Sequence, residues 1–396
     1  MISVDDAVAR IRSAFAPLDA ETIAIGKAAG RVLAADVIAS LNQPPFPVSS
    51  MDGYALRAAD AARPGVTLDV IGTSPAGHPF DGKVGVGQAV RIFTGGVVPD
   101  GADTIVIQED TSASGSRVTL NISAAPGRHI RIAGLDFKAG EALVRSRHRL
   151  TARDLSLIAA GDVAQVSVRR RPKVAVAATG DELSLPGMPR KPGGIVASSG
   201  YALAAMIERW GGEAIDLGIL PDTREAVASI ADHAARADLI VTLGGASVGE
   251  HDLVQKALGP RGFELDFWKI AMRPGKPLIF GRLGRTPLLG LPGNPVSTLV
   301  CAMLFLKPAI AAMLGTEDDA GLVPAKLAAG LKQNDTRQDY IRARIELRGG
   351  ERFAEPFSVQ DSSMLSSLAR ADGLIVRPPN APAAGAGETV SILLLD

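Results

Sequence analysis

The sequence predicts a multidomain α/β protein centred on a doubly wound sheet. Three observations carry this. Residues 173–299 read as strand, loop and helix, repeated. Within them Lys-Val-Ala-Val-Ala-Ala-Thr (173–179), Leu-Ile-Val-Thr-Leu (239–243) and Pro-Leu-Leu-Gly-Leu (287–291) are short and almost wholly apolar, as strands buried on both faces of a parallel sheet are. The flanks differ in texture: short alternating runs rich in Gly, Pro, Val and Thr before this stretch, and a second β-rich stretch after Gly315.

The chain opens with a helical stripe over 3–15, Val4, Val8, Ile11 and Phe15, with Ser3 placed to cap it. Residues 17–40 continue in short pieces. At Asn42 a stiff Gln-Pro-Pro-Phe-Pro segment leads into Ser-Ser-Met-Asp-Gly-Tyr-Ala (49–55). From Val66 to Val144 the alternation reads as an all-β module with tight turns. Asp52-Gly53 has the chemistry of a hairpin turn, and Thr94-Gly95-Gly96 and Pro99-Asp100-Gly101 that of two further turns. Residues 141–168 read as helical again, with Thr151 at a helix start. Arg169-Arg170-Arg171-Pro172 marks a boundary, most simply a solvated linker face.

The α/β stretch carries the chemistry. Its strands run into Gly180-Asp181-Glu182, into Gly244-Gly245-Ala246-Ser247-Val248-Gly249-Glu250-His251-Asp252, and into Pro292-Gly293-Asn294-Pro295. Ligands of such sheets bind at the carboxyl ends of the strands. Paired glycines let backbone N–H groups approach a phosphate, and helix N-termini add partial positive charge. The carboxylates nearby would repel that anion unless a divalent cation sits between, so the pattern points to a metal-assisted site for a phosphate-bearing ligand. Asp222 with Glu225 also fits a capping box, and Asp252 likewise opens a helix, so each has a structural reading beside the chemical one. Lys269, Arg273 and Lys276 bracket a Pro-Gly turn, either as an anion clamp or as a solvated loop. Asn294-Pro295 reads as a helix start with Asn as its cap. In the last module Ile341, Ala343, Ile345 and Leu347 alternate with Arg342, Arg344, Glu346 and Arg348, which makes Arg342 either an exposed strand residue or an anion ligand. Five serines lie within 358–367.

Bulk composition excludes several classes. The 396 residues hold 42 basic and 42 acidic side chains and few aromatics, a poor match to nucleic-acid binding. One cysteine, Cys301, excludes disulfides and thiolate zinc sites and favours a cytoplasmic setting; the five histidines show no zinc spacing. The polar amphipathic start is not a signal peptide, and the apolar run at 299–306, stopped by Lys307, is too short to span a bilayer. No Walker motif, dinucleotide-binding glycine fingerprint or nucleophile elbow occurs.

Six segments in order resemble the molybdopterin molybdenumtransferase family, which includes MoeA and the gephyrin E domain: Ser-Met-Asp-Gly-Tyr-Ala (50–55), Thr-Gly-Gly-Val-Val-Pro-Asp-Gly-Ala-Asp (94–103), Thr-Gly-Asp-Glu-Leu (179–183), Gly-Gly-Ala-Ser-Val-Gly-Glu-His-Asp (244–252), Arg-Pro-Gly-Lys-Pro (273–277) and Gly-Leu-Pro-Gly-Asn-Pro-Val-Ser (290–297). The resemblance implies insertion of molybdate into adenylated molybdopterin, with release of AMP and molybdenum cofactor and a requirement for Mg2+ or a similar divalent cation. It implies a split helical N-terminal domain (1–41 plus 141–168), an inserted β domain (42–140), an α/β molybdopterin-binding domain (169–315) and a C-terminal β domain (316–396). It implies a homodimer whose site lies between the α/β domain of one subunit and the inserted β domain of the other, with the molybdopterin adenylyltransferase and cofactor-receiving apo-enzymes as further partners.

Carried over by position, Glu182, Asp222 and Asp252 would be catalytic and hold the metal, and Asp52 and Thr94 would reach in from the partner subunit. Arg131, Asp136, Gly244, Gly245, Ser247, Gly249, Lys269, Lys276, Pro292, Gly293, Asn294 and Pro295 would bind substrate, and Arg273, Lys276, Arg342 and Ser362 the molybdate. Two places depart from the family pattern. Ala197-Ser198-Ser199 stands where Asp, Ser or Thr, then Asn is usual, and Asp361-Ser362-Ser363 where Gly-Ser-Gly is usual. Two other activities share the α/β motifs, adenylation of molybdopterin and a non-catalytic scaffold role; the flanking domains and the Met51–Tyr54 segment speak against the first, and the retained acidic residues against the second.

Overall fold

The computed structural model describes residues 1–244, 251–317 and 321–395, with backbone alone at His251 and Asp252. The chain forms two compact units, Thr22–Val168, and Met1–Glu21 together with Arg169–Asp396.

In the Thr22–Val168 unit a six-stranded sheet has the order Thr104–Ile107, Gly53–Leu56, Gln88–Ile92, Thr67–Ser74, Arg117–Leu120, Thr111–Ser114. Its core gathers Tyr54, Leu56, Leu68, Val106, Val118 and Leu120. A smaller core of Leu33, Val37, Val144, Leu150, Ile158 and Val168 joins residues 22–41 to 142–168. The helical return expected over 141–168 is one helix, Ala152–Ala160, between strands Ala142–Val144 and Gln165–Arg169. In the latter strand buried Val166 and Val168 alternate with more exposed Gln165 and Ser167, a strand period. Thr151 and Asp154 cap the helix reciprocally.

The Val4–Ser13 helix is capped by Ser3, whose hydroxyl accepts the Asp6 N–H at 3.0 Å. Its contacts group it with the other unit, Met1–Glu21 and Arg169–Asp396. The physical reason is its buried stripe, Val4, Ala7 and Ile11, on a helix that packs against the Lys307–Leu314 helix.

The second unit holds a mixed six-stranded sheet in the order Glu213–Leu220, Lys173–Thr179, Leu239–Leu243, Thr286–Leu291, Ile279–Leu283, Phe263–Trp268. The first four are parallel, and Ile279–Leu283 runs antiparallel to both its neighbours, so Phe263–Trp268 points the same way as the first four and the sheet departs from the all-parallel expectation near one edge. Ala175, Ala177 and Ile240 on one face pack with Val227, Ile230, Val254 and Leu258 of the helical segments there. The Ser199–Arg209 helix, burying Leu203 and Ile207, packs on Lys173–Thr179 and Glu213–Leu220. The chain leaves Lys173–Thr179 to build one side and returns to build the other, so the switch point lies between Lys173–Thr179 and Leu239–Leu243.

Pro295–Leu314 is one helical run of 20 residues and does not stop at Lys307; most of it is buried, which marks it as a core helix. A π-helical turn at Ala302–Leu306 sits just ahead of Pro308, whose ring nitrogen cannot donate to the helical ladder. The C-terminal part closes into a β-barrel: Gln338–Arg348, Glu351–Pro356, Val323–Leu327, Thr389–Leu394 and Gly373–Arg377, with the last pairing back to the first. Met272–Arg273 adds in parallel to Gln338–Asp339, which ties the barrel to the α/β part.

Candidate active site

The carboxyl edge of the α/β sheet is built by close backbone approach at the switch point. Gly244 has φ +91°, and a Cβ there would lie 2.9 Å from the Thr179 carbonyl oxygen; a Cβ on Gly293 would lie 3.6 Å from the Gly244 Cα. Three strand ends therefore meet without side chains between them. Beside them lie Asp181 and Glu182 after the first strand and Asp222 after the second. Asp181 Oδ1 accepts the Asp222 N–H at 3.3 Å. Burial, with the charges of Asp181 and Glu182, holds the Asp222 carboxyl above the usual aspartate range, against the opposing pull of a hydrogen bond from the Asp181 backbone. Asp181 was not among the expected site residues, although it sits between Gly180 and Glu182 in one of the motifs.

Asp222 does not cap the next helix. Thr223 does, its hydroxyl accepting the Ala226 N–H at 3.2 Å, and the Asp222 side chain is left to the carboxylate group. Gly245, Ser247, Gly249 and the Asp252 side chain lie outside the described residues. Among the described residues no three His, Cys, Asp or Glu side chains are arranged to hold a metal ion.

The cationic segment is partly occupied. Lys269, at φ +71°, lays its Nζ 3.6 Å from the centre of the Trp268 ring. Arg273 is paired with Asp339 and lies 3.6 Å from Asp335, so it enters as part of an ion-pair network and not as an open clamp. Lys276 is exposed, and its side chain has no partner among the described residues.

At Asn294 the helix begins as expected with Pro295 in the first turn, but the Asn294 side chain makes no cap bond. Its Nδ2 donates instead to Ser362 Oγ at 3.0 Å, and the Val296 N–H donates to the Ser362 carbonyl at 3.2 Å. Pro292 accepts from Thr298 Oγ1 at 2.5 Å, which fixes the bend before the helix. The structure thus brings Pro292, Asn294, Pro295 and Ser362 together. Arg342 is 2% exposed, which corrects the reading of it as an outward strand residue. Its Nε donates to Gln360 Oε1 at 3.1 Å and its Nη1 to the Met364 carbonyl at 3.1 Å. Burial holds its guanidinium below its usual range, with the nearby Asp361 charge opposing. Asp361 turns onto Ser363, accepting from its N–H and hydroxyl at 2.8 and 2.6 Å, so this departure from the family pattern is satisfied locally. At the other departure Ala197 lines a small cavity of about 100 Å³ with Tyr201, Ala178 and Asp216.

In the Thr22–Val168 unit, Asp52 Oδ1 accepts from the Thr94 N–H at 2.7 Å and the Thr94 hydroxyl at 2.9 Å. These bonds, N–H first, then hydroxyl, hold the Asp52 carboxyl below its usual range, with help from Arg91. Asp52-Gly53 is not a hairpin turn: Gly53 begins a strand, and a Cβ on it would lie 2.1 Å from the Val106 carbonyl oxygen. Thr94-Gly95-Gly96 is a turn, with Gly95 at φ +81°. Arg131 and Asp136 line a cleft of about 650 Å³ with Gly95 and Val97.

Comparison with known proteins decides the family. The chain is 36% identical over 388 residues to a molybdopterin molybdenumtransferase of Nostoc sp., covering 95% of this chain and 89% of the relative. It belongs to the molybdopterin molybdenumtransferase family. The corresponding protein of Haemophilus influenzae is 35% identical, covering 95% and 94% of the two chains. Family models match end to end: MoeA N-terminal region (domain I and II) at 2–161, probable molybdopterin binding domain at 175–312, and MoeA C-terminal region (domain IV) at 324–395. The crystal structure of the molybdopterin biosynthesis MoeA protein from Pyrococcus horikosii superposes with a TM-score of 0.87 at 32% identity, covering 100% of this chain and 99% of that one.

Proposed function

We propose that this protein is a transferase of molybdenum cofactor biosynthesis that inserts molybdate into adenylated molybdopterin and releases AMP. Family membership supports the activity. The observation that carries the local reading is the carboxyl edge of the α/β sheet. There the Asp181, Glu182 and Asp222 carboxylates stand at strand ends that meet the Gly244 and Gly293 backbone, and the Asn294–Ser362 bond sits at a helix start on the same edge.

In this reading the glycine backbone and the Pro295 helix N-terminus hold the pterin phosphate, helped by Lys269 and Lys276. Ser362 and Lys276, with Arg342 behind them, receive the molybdate dianion; Arg273 would join only by leaving Asp339. The raised pKa of Asp222 comes first from burial, with the Asp181 and Glu182 charges adding to it, and a cation held by Glu182, Asp222 and Asp252 would offset both. A divalent ion such as Mg2+ bound there would neutralise these carboxylates and polarise the phosphoanhydride. The Asp52–Thr94 pair, with Arg131 and Asp136, would be supplied by the second subunit of a homodimer.

The test is molybdate-dependent AMP release from adenylated molybdopterin. AMP should appear only with molybdate present, and removal of divalent ions by a chelator should abolish it, with recovery on adding Mg2+. Formation of adenylate from ATP and molybdopterin, or no AMP under any of these conditions, would refute the assignment.

A further inference from the structure

Arg342 pairs on one side with Leu374, but on the other side the Glu351–Pro356 strand ends its ladder at Ala343. The Phe357 N–H still donates to the Arg342 carbonyl at 3.0 Å, and the Gln360 side chain supplies the rest of the pairing there. Its Oε1 accepts the Arg342 N–H at 3.0 Å and its Nε2 donates to the Arg342 carbonyl at 3.0 Å, as a neighbouring strand residue would. The same amide accepts from Arg342 Nε at 3.1 Å and donates to the Phe357 carbonyl at 2.9 Å. Arg342 Nη1 then binds the Met364 carbonyl at the far end of the loop. The 357–364 loop is therefore tied to one buried arginine at both ends, with Ser362 between the ties. Ser362 is in turn the residue that meets Asn294 and Val296 at the helix start. Gln360 is itself exposed and lines no core, so its four bonds serve the loop and not the packing of the barrel.

We infer that Gln360 is a positioning residue that, through Arg342, holds Ser362 at the start of the Pro295 helix and so sets the affinity of the anion subsite. This rests on the proposed molybdate chemistry for its functional half and on the hydrogen bonds alone for its structural half. It places Arg342 as the anchor of the loop, with its action on the anion passing through Ser362.

The test compares wild type, Gln360→Ala, Gln360→Glu, Ser362→Ala and the Gln360→Ala/Ser362→Ala double variant. Gln360→Glu retains the acceptor for the Arg342 N–H and Nε but loses the donor to the Arg342 and Phe357 carbonyls, and guards against a poorly folded alanine variant. Three measurements are made: amide hydrogen exchange at Val296, the molybdate dependence of AMP release (kcat and the half-maximal concentration), and the thermal midpoint. Gln360→Ala should speed exchange at Val296 and raise the molybdate requirement about three- to tenfold at unchanged kcat, the range expected for one to two neutral hydrogen bonds. Gln360→Glu should shift both in the same direction. The double variant should be no worse than Ser362→Ala, since both changes act through one serine. A merely structural role would lower kcat and the thermal midpoint together. Faster exchange with an unchanged molybdate requirement would overturn the positioning role and leave the proposed activity standing, as would multiplicative effects in the double variant. Absence of AMP release from wild type would overturn the proposed activity and this role with it, while unchanged exchange at Val296 would refute the clasp itself.

Discussion

Replacing Arg273 with alanine should damage stability more than ligand capture. The Arg273 side chain is 51% exposed, whereas that of its partner Asp339 is 7% exposed. Among the described residues Asp339 Oδ1 has no hydrogen-bond partner, so the carboxylate relies on Arg273 through its other oxygen. Removing one partner of a fully buried pair costs ~3–5 kcal/mol because a charge is left stranded. Half-exposure of the arginine reduces this, and ~1–3 kcal/mol is the reasonable range. For a unit of about 250 residues, at ~2–4 °C per kcal/mol, that is a fall of roughly 2–12 °C in the thermal midpoint. Lys276→Ala, where the cation is exposed and unpaired among the described residues, should leave the midpoint unchanged and raise the molybdate or pterin requirement by about 10- to 150-fold, as for one charge-assisted contact. The Arg273→Ala/Asp339→Asn double variant should regain much of the lost stability, since no stranded charge remains. Thermal melts and molybdate titration of the four proteins decide the matter. An Arg273→Ala variant that melts like wild type, yet needs as much extra molybdate as Lys276→Ala, would show that Arg273 is an anion ligand and that its bond to Asp339 contributes nothing.

Asp222→Asn should raise stability at neutral pH while abolishing most AMP release. The folded pKa lies above the unfolded value, so the fold bears a penalty at every pH where Asp222 is ionised, and a neutral amide removes it; a denaturation midpoint below wild type at pH 7 would contradict this. Asp154 has the opposite sign. Against the opposing effect of burial, its bonds from the Thr151 hydroxyl and N–H and from His148 lower its carboxyl from 3.8 to about 2, so its contribution is complete above the ordinary aspartate range and fades as pH falls from 3.8 towards 2. Denaturant midpoints across that interval should fall more steeply for wild type than for Asp154→Asn, and parallel curves would refute the coupling.

The architecture of the α/β part was legible because its strands are buried on both faces and so write themselves as continuous apolar runs. The antiparallel strand near one edge was not, since Ile279–Leu283 looks the same whichever way it runs. The first helix was legible as a helix and not as a member of its unit. Amphipathicity says that Val4, Ala7 and Ile11 must be covered, but the covering helix lies some three hundred residues away in the chain. Asp222 and Thr223 are both cap-competent neighbours, and only backbone geometry selects Thr223.

The site residues divide along the same line. Gly244 and the Pro295 helix start act through backbone conformation, which residue type largely dictates, and the helix start was readable in place, although Asn294 does not cap it with its side chain. The cations act through partners, and partners are set by tertiary contact. Alternation along 341–348 put Arg342 on the outer face of its strand, and the geometry of the strand itself is what that pattern describes. Its burial comes from the 357–364 loop folding over it, which a period of two along one strand cannot express. Asp361 shows the same limit in reverse. A carboxylate in place of glycine next to Ser362 reads as a threat to an anion subsite, yet the N–H and hydroxyl of Ser363 take up one of its oxygens and lower its pKa. The substitution is thus paired with its own remedy two residues on, since glycine at 363 would keep the N–H but lose the hydroxyl that holds the carboxylate away.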